Sequence, residues 1–306
     1  MKKPRFSLSM SGRQALKGYM FILPWVIGFA FFYIRCLVMT VSFSFSDLVM
    51  RPTGGYDMNG VGLKNFLYAF TGHGTFKQVL TTSLGNMVID VPLIIFFSLF
   101  VAMLLNRRFK GRSLVRAIFF LPIILNADAV VDAMNMAARM MNGGLSATSA
   151  EVAAASGSSG VSVSYYISLF GDLAIPPVIL EYIVGAVERI SGIIQSSGVQ
   201  IILFIAALQS IPGALYEVAR IEGATAYETF WKVTFPMVMP HIITNTIYTI
   251  VDKFSRSDVV DLAYTTAFTE FNYGLSSAFS VISTLLTCAL LALVVWLISK
   301  RTFYYN

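Results

Sequence analysis

Apolar residues run along this chain in blocks long enough to cross a bilayer, broken by short segments that carry most of the charge. A hydrocarbon core of about 30 Å needs about 20 such residues in a helix. Blocks of that kind occupy residues 19–45, 84–105, 117–140, 236–254 and 277–299, and a shorter one occupies 197–211. The pattern predicts an all-α membrane protein with six transmembrane helices. Residues 177–195 have helical periodicity but carry Glu181, Glu188 and Arg189, which predicts an outer-surface helix leading into span four.

Between spans four and five the pattern changes character. Residues 217–240 read EVARIEGATAYETFWKVTFPMVMP, charged and punctuated by Gly223, Pro236 and Pro240. The stretch around Glu217, Arg220 and Glu222 favours helix but is too charged for hydrocarbon. Gly223 permits positive φ and so a tight reversal. Thr225 followed by Glu228 has capping-box spacing, which opens a second helix. The two prolines suit the first turn of the next span. A helix–turn–helix lying at the membrane surface is predicted.

The spacing Glu217-x-Ala219-x-x-x-Gly223, followed after nine residues by Val233-x-Phe235-Pro236, resembles the EAA motif of binding-protein-dependent ABC importer permeases. Leu208-Gln209-Ser210-Ile211-Pro212 and Phe230-Trp231-Lys232 are similar to the carbohydrate, maltose-type branch of that family. Val218 replaces the usual second alanine, and Glu222 the commoner Asp. The resemblance covers nearly the whole chain and implies a type I ABC importer permease architecture. It implies that segment 216–236 is a coupling helix docking on a cytoplasmic ATPase, with Glu217, Ala219, Glu222, Gly223 and Pro236 as its coupling residues. It also implies a related second permease subunit as heterodimer partner, two ATPase subunits and an extracytoplasmic solute-binding protein. The sequence Val61-Gly62-Leu63-Lys64-Asn65-Phe66 is similar to the family's first outer loop.

Composition sets the class independently. Of 306 residues, 56% are hydrophobic and only 12% charged, and mean hydropathy is +0.72. Soluble domains are far more polar. A net charge of +6 raises the question of nucleic acid, but the Lys and Arg are scattered between apolar blocks, and no nucleic-acid face is expected. Their placement instead sets topology. Five lie in residues 1–18, five in 106–116, and Arg220, Lys232, Lys300 and Arg301 fall on the same side, making 14 of 22. The positive-inside rule then puts both termini and segment 216–236 of this multi-pass membrane protein in the cytoplasm, and the family resemblance implies the inner or plasma membrane of a bacterium. The segment 1–18 lacks a signal-peptide cleavage pattern and reads as an uncleaved basic N-terminus. The remaining divisions are span one with its outer loop (19–80), the core permease domain (81–300) and a cytoplasmic tail (301–306). Segment 142–164, rich in Ala, Ser and Gly, reads as a flexible outer stretch.

Polar residues inside spans are the other candidates. Asp128, Asp132, Asn135 and Arg139 share one face of span three, and Asn245, Thr249, Asp252 and Arg256 repeat the spacing in span five beside Tyr248. Asp90 and Asn86 lie in span two. Charges facing lipid are costly, so these faces turn into the bundle or a wet cavity. Two readings stand side by side. In one, Asp90, Asp128, Asp132, Asn135, Asn245, Tyr248 and Asp252 line a substrate path for sugar hydroxyls. In the other, the same groups pair across helices and hold the bundle. Arg35 is expected to snorkel. Cys36 and Cys288 fall in apolar runs and suit no disulfide, and His73 and His241 have no metal-ligand pattern.

No phosphate-binding loop, nucleophile elbow or zinc motif occurs, so no catalytic or metal site is expected, and ATP is expected only on partner subunits. The expectation is a non-enzymatic permease subunit that moves a sugar or oligosaccharide by alternating access. The alternatives are a permease for another solute, such as glycerol phosphate or a polyamine, and a non-transport membrane scaffold.

Overall fold

The computed structural model describes residues 10–51, 54–106, 111, 117 and 177–300. The expected third span, with Asp128, Asp132, Asn135 and Arg139, and the segment 142–164 lie outside the described residues, as do all five basic residues of 107–116.

The described chain is mostly helical. Span one runs from α1 (Met10–Gly28) through a π-helical turn (Phe29–Ile34) into α2 (Arg35–Ser44). Then come α3 (Lys64–Thr71) and α4 (Phe76–Asn106), and after the undescribed stretch α5 (Pro177–Ser196) and α6 (Gly198–Ser210). The elbow contains α7 (Gly213–Ile221) and α8 (Ala226–Thr229), and α9 (Phe235–Ser255), α10 (Asp258–Phe268) and α11 (Tyr273–Ser299) complete the order. Among the described residues three helices have the length and composition of a membrane span: 17–44, α4 and α11. The pair α5 and α6 qualifies as a fourth, broken span, bent by 51° between residues 185–196 and 198–210. Residues 177–195, expected at the outer surface, thus run into span four with a break of a single residue. That residue is Ser197, whose carbonyl accepts from buried Ser98 Oγ of α4 (3.4 Å) and whose own Oγ donates to Ile194 O (2.8 Å). Polar groups freed by a bend must be satisfied this way in hydrocarbon.

The all-α expectation needs one correction. Residues 46–60 form an antiparallel hairpin, β1 (Ser46–Met50) against β2 (Tyr56–Gly60), in register from Ser46↔Gly60 to Met50↔Tyr56. Ser46, Leu48 and Met50 alternate onto one face opposite Tyr56 and Met58. Gly54 and Gly55, at φ +94° and +86°, supply the reversal. Arg51 and Asp57 form an ion pair beside the turn.

The chain divides into two compact units, residues 1–84 with 255–289, and residues 85–254 with 290–306. In the first, Phe76 stacks on Phe279 with centroids 4.1 Å apart, inside a core with Ala69, Leu80, Val259, Ala263 and Leu275. His73 proves structural: its Nδ1 accepts the Phe76 N–H (3.1 Å) at the start of α4. In the second, Leu99, Ala102 and Leu105 of α4 pack with Ile201, Phe204 and Leu208 of α6 and Val238 of α9.

Candidate coupling elbow and polar path

The elbow is closed by two back-to-back caps. Helix α7 ends in a Schellman motif: Ala224 N–H donates to Ala219 O (2.9 Å) and Gly223 N–H to Arg220 O (3.1 Å). Gly223 takes φ +73°. A Cβ there would meet nothing within 4 Å, so the expected cost of a side chain comes from the backbone angle and not from crowding. Two residues on, the predicted capping box is present. Thr225 Oγ1 accepts from Glu228 N (3.3 Å), and Glu228 Oε2 accepts from Thr225 N (2.9 Å). These bonds, first from the Thr225 backbone and then from its hydroxyl, hold the Glu228 carboxyl below its ordinary range, aided by Lys232 at 3.6 Å.

The second arm differs from the prediction. Helix α8 is not a separate short helix but continues through a π turn (Phe230–Thr234) into α9. The π turn stands immediately before Pro236, whose ring lacks an N–H and clashes with a regular i−4 carbonyl. Tyr216 Oη and Thr234 Oγ1 (3.3 Å) tie the two arms together. A cavity of about 560 Å³ lies behind the elbow, lined by Met103, Asn106, Tyr216, Arg220, Phe230 and Thr234 among others.

Glu217 and Glu222 are exposed, Ala219 is buried and Pro236 is half-buried. Around Glu217 the elbow presents Val218, Ile221 (85% exposed), Tyr227 and Trp231 outward. An apolar knob rimmed by carboxylates has the composition of a docking surface. Sequence reading named the acidic residue but not Ile221.

Among the intramembrane candidates, Asn245 is fully buried and donates through Nδ2 to Gln200 O (3.1 Å). Gln200 Nε2 donates to Thr249 Oγ1 (3.2 Å), which donates to Asn245 O (2.8 Å). Gln200 belongs to this α6–α9 cluster although sequence reading passed it over; a lone Gln in an apolar run was the available signal. Among the described residues no donor reaches Gln200 Oε1 or Asn245 Oδ1. Tyr248 is exposed and Asp252 half-buried, each with contacts of its own. Asp90 pairs with Arg189 and Lys253.

No family model matches the chain. It is 27% identical over 255 residues to a probable ABC transporter permease protein, YesP, of Bacillus subtilis, covering 78% of this chain and 70% of that one. It is 27% identical over 291 residues to the trehalose/maltose transport system permease protein MalF of Thermococcus litoralis, covering 89% and 90%. The fold matches a chain of a bacterial ABC transporter that imports the acidic polysaccharide alginate. The TM-score is 0.65 at 17% identity, over 95% of this chain and 98% of that one.

Proposed function

We propose that this chain, a member of the binding-protein-dependent ABC importer permeases of the carbohydrate branch, forms half of a sugar path opened through its 216–236 elbow by a separate ATPase. The observation that carries the coupling role is the doubly capped elbow, exposed between the broken span α5–α6 and the continuous helix leading into α9. A stiff lever between two spans transmits displacement, whereas a frayed loop would absorb it.

The chain has six spans, with both termini on the cytoplasmic side of a bacterial inner or plasma membrane. The basic residues of 1–18 and 106–116 support that orientation. The core permease domain, 81–300, pairs with a related second permease. Two ATPase subunits bind the nucleotide, and this chain holds no cofactor and performs no catalysis. An extracytoplasmic binding protein delivers the sugar, in keeping with a neighbouring structure, an alginate transporter in complex with an alginate pentasaccharide-bound periplasmic protein.

Closure of the ATPases draws the elbows together, and α7 and α9 carry that shift into the bundle. Coupling requires that the docked elbow prefer different positions in the two states. Glu217 meets the ATPase with Ile221 at its side, and Gly223 fixes the angle. Along the path lie Asn245, Asp90, Tyr248 and Asp252, joined by Asp128, Asp132 and Asn135 of span three.

Co-purification with an ATPase and substrate-stimulated hydrolysis in the assembled complex test this reading. Glu217→Lys is expected to abolish stimulation while leaving the protein inserted. Wild-type uptake by that variant, or failure of any ATPase to bind, would reject it.

A further inference from the structure

Asp90 stands near the middle of the 31-residue helix α4, roughly 21 Å from one end and 24 Å from the other at 1.5 Å per residue. Its Oδ1 accepts from Arg189 Nε (3.0 Å) and Nη2 (2.8 Å) of α5, and its Oδ2 lies 3.6 Å from Lys253 Nζ of α9. One carboxylate thus faces two cations, each from a different helix of the same unit. Asp252, next to Lys253 on α9, has contacts of its own. Asp90, Arg189 and Lys253 together carry one surplus positive charge.

A clasp meant only to hold helices needs a single cation per carboxylate. A second, at this depth in an apolar span, is not tolerated against hydrocarbon and marks a water-filled path. The side chains agree: Asp90 is only 16% exposed, while Lys253 is 25% and Arg189 41% exposed, so the cations keep an open side and the carboxylate does not. At 3.6 Å Lys253 is attracted to Asp90 without a close hydrogen bond, which leaves its ammonium donors available.

Resting on the sugar-permease reading, we propose that Lys253 and Arg189 receive the carboxylate of an acidic sugar, so that this path selects uronate-bearing oligosaccharides over neutral ones. Asp90 holds the Arg189 fork in place and balances the cations while the path is empty. The single surplus charge matches a monoanion. A phosphate dianion would leave the site negative.

The test uses the complete importer, with its partner permease, ATPases and binding protein, in proteoliposomes. The probes are a trisaccharide bearing a single uronate, its methyl ester, maltotriose and glycerol 3-phosphate. The uronate is expected to enter about tenfold faster than its ester, the worth of one charged contact. Lys253→Met is expected to erase that preference by raising the apparent KM for the acid, and Lys253→Arg to restore it. Equal uptake of acid and ester, a preference unmoved by Lys253→Met, or uptake of none of the probes would overturn the proposal. Preferential entry of glycerol 3-phosphate would overturn the carboxylate in favour of phosphate. A chain that binds no ATPase would instead reject the permease reading itself.

Discussion

The carbonyl oxygen of Ser46 occupies the place that a side chain on Gly274 would need: a Cβ there would come within 2.3 Å of it. Asn65 closes the same junction, its Nδ2 donating to Ser44 O (3.1 Å) and Ser46 O (3.0 Å). The end of span one, the hairpin and the start of α11 thus meet at one point. Gly274→Ala is expected to cost about 1–3 kcal/mol, because the obstructing atom is backbone. Asn65→Ala loses both bonds and leaves two carbonyls short, about 1–3 kcal/mol. Asn65→Asp should be worse than Ala at neutral pH, since a carboxylate cannot donate and repels both oxygens. Thermal unfolding of the detergent-purified protein measures the order. An Asp variant as stable as wild type would remove the clamp.

At the elbow, the open space around Gly223 separates two effects. Gly223→Ala pays only for the left-handed backbone, about 1–2 kcal/mol, and is expected to retain much of the coupling. Gly223→Asn should be milder still. Gly223→Pro cannot take φ +73° and also deletes the N–H bonded to Arg220 O, so it should abolish substrate-stimulated ATP hydrolysis. The ranking Asn, Ala, Pro in stimulated hydrolysis checks the argument; an Ala variant as dead as Pro would show that contacts, not φ, fix this turn.

Much of this was written locally. Apolar blocks at 84–105 and 277–299 became α4 and α11, which begin eight and four residues earlier, because hydropathy is integrated over 20 residues and caps are not needed to see it. The capping box was legible since Thr225 and Glu228 are three residues apart. The hairpin was hidden because five-residue strands give only two or three alternations. The π turn before Pro236 follows from how the chain accommodates a proline within a continuous helix, which composition does not reveal. The partners of Asp90 lie 99 residues away in Arg189 and on a third helix in Lys253, so only folding brings them together.

Glu228 makes the elbow pH-sensitive. Its carboxyl is held low by the Thr225 bonds, so its contribution is full above the unfolded carboxylate range, about pH 4.3, and is lost as pH falls through the lower folded value. Acidification of the medium around the elbow should therefore loosen the cap. With Trp25 and Trp296 replaced by Phe, the fluorescence of Trp231 reports on the neighbouring turn. The signal is expected to change on descending below the ordinary carboxylate range in wild type and to stay flat in Glu228→Gln, whose amide still caps. An identical transition in both would assign the change to another group.

The buried cluster on α6 and α9 yields a double-mutant cycle. Thr249→Val strands the Gln200 amide with no acceptor, and Gln200→Leu strands the Thr249 hydroxyl only partly, since that hydroxyl still donates to Asn245 O. The Thr249 change should therefore cost more, about 1–3 kcal/mol. The double variant removes donor and acceptor together and should recover part of the loss, with a coupling energy near the ~0.6 kcal/mol average for interhelical bonds in membranes. If Gln200 Oε1 also accepts a sugar hydroxyl, Gln200→Leu should raise the KM for transport beyond anything its stability change explains, whereas Gln200→Glu, which keeps the acceptors, should not. Stability by thermal unfolding and uptake kinetics on these four variants separate the two roles: additive stabilities would dissolve the bond, and an unchanged KM in Gln200→Leu would leave Gln200 a packing residue alone.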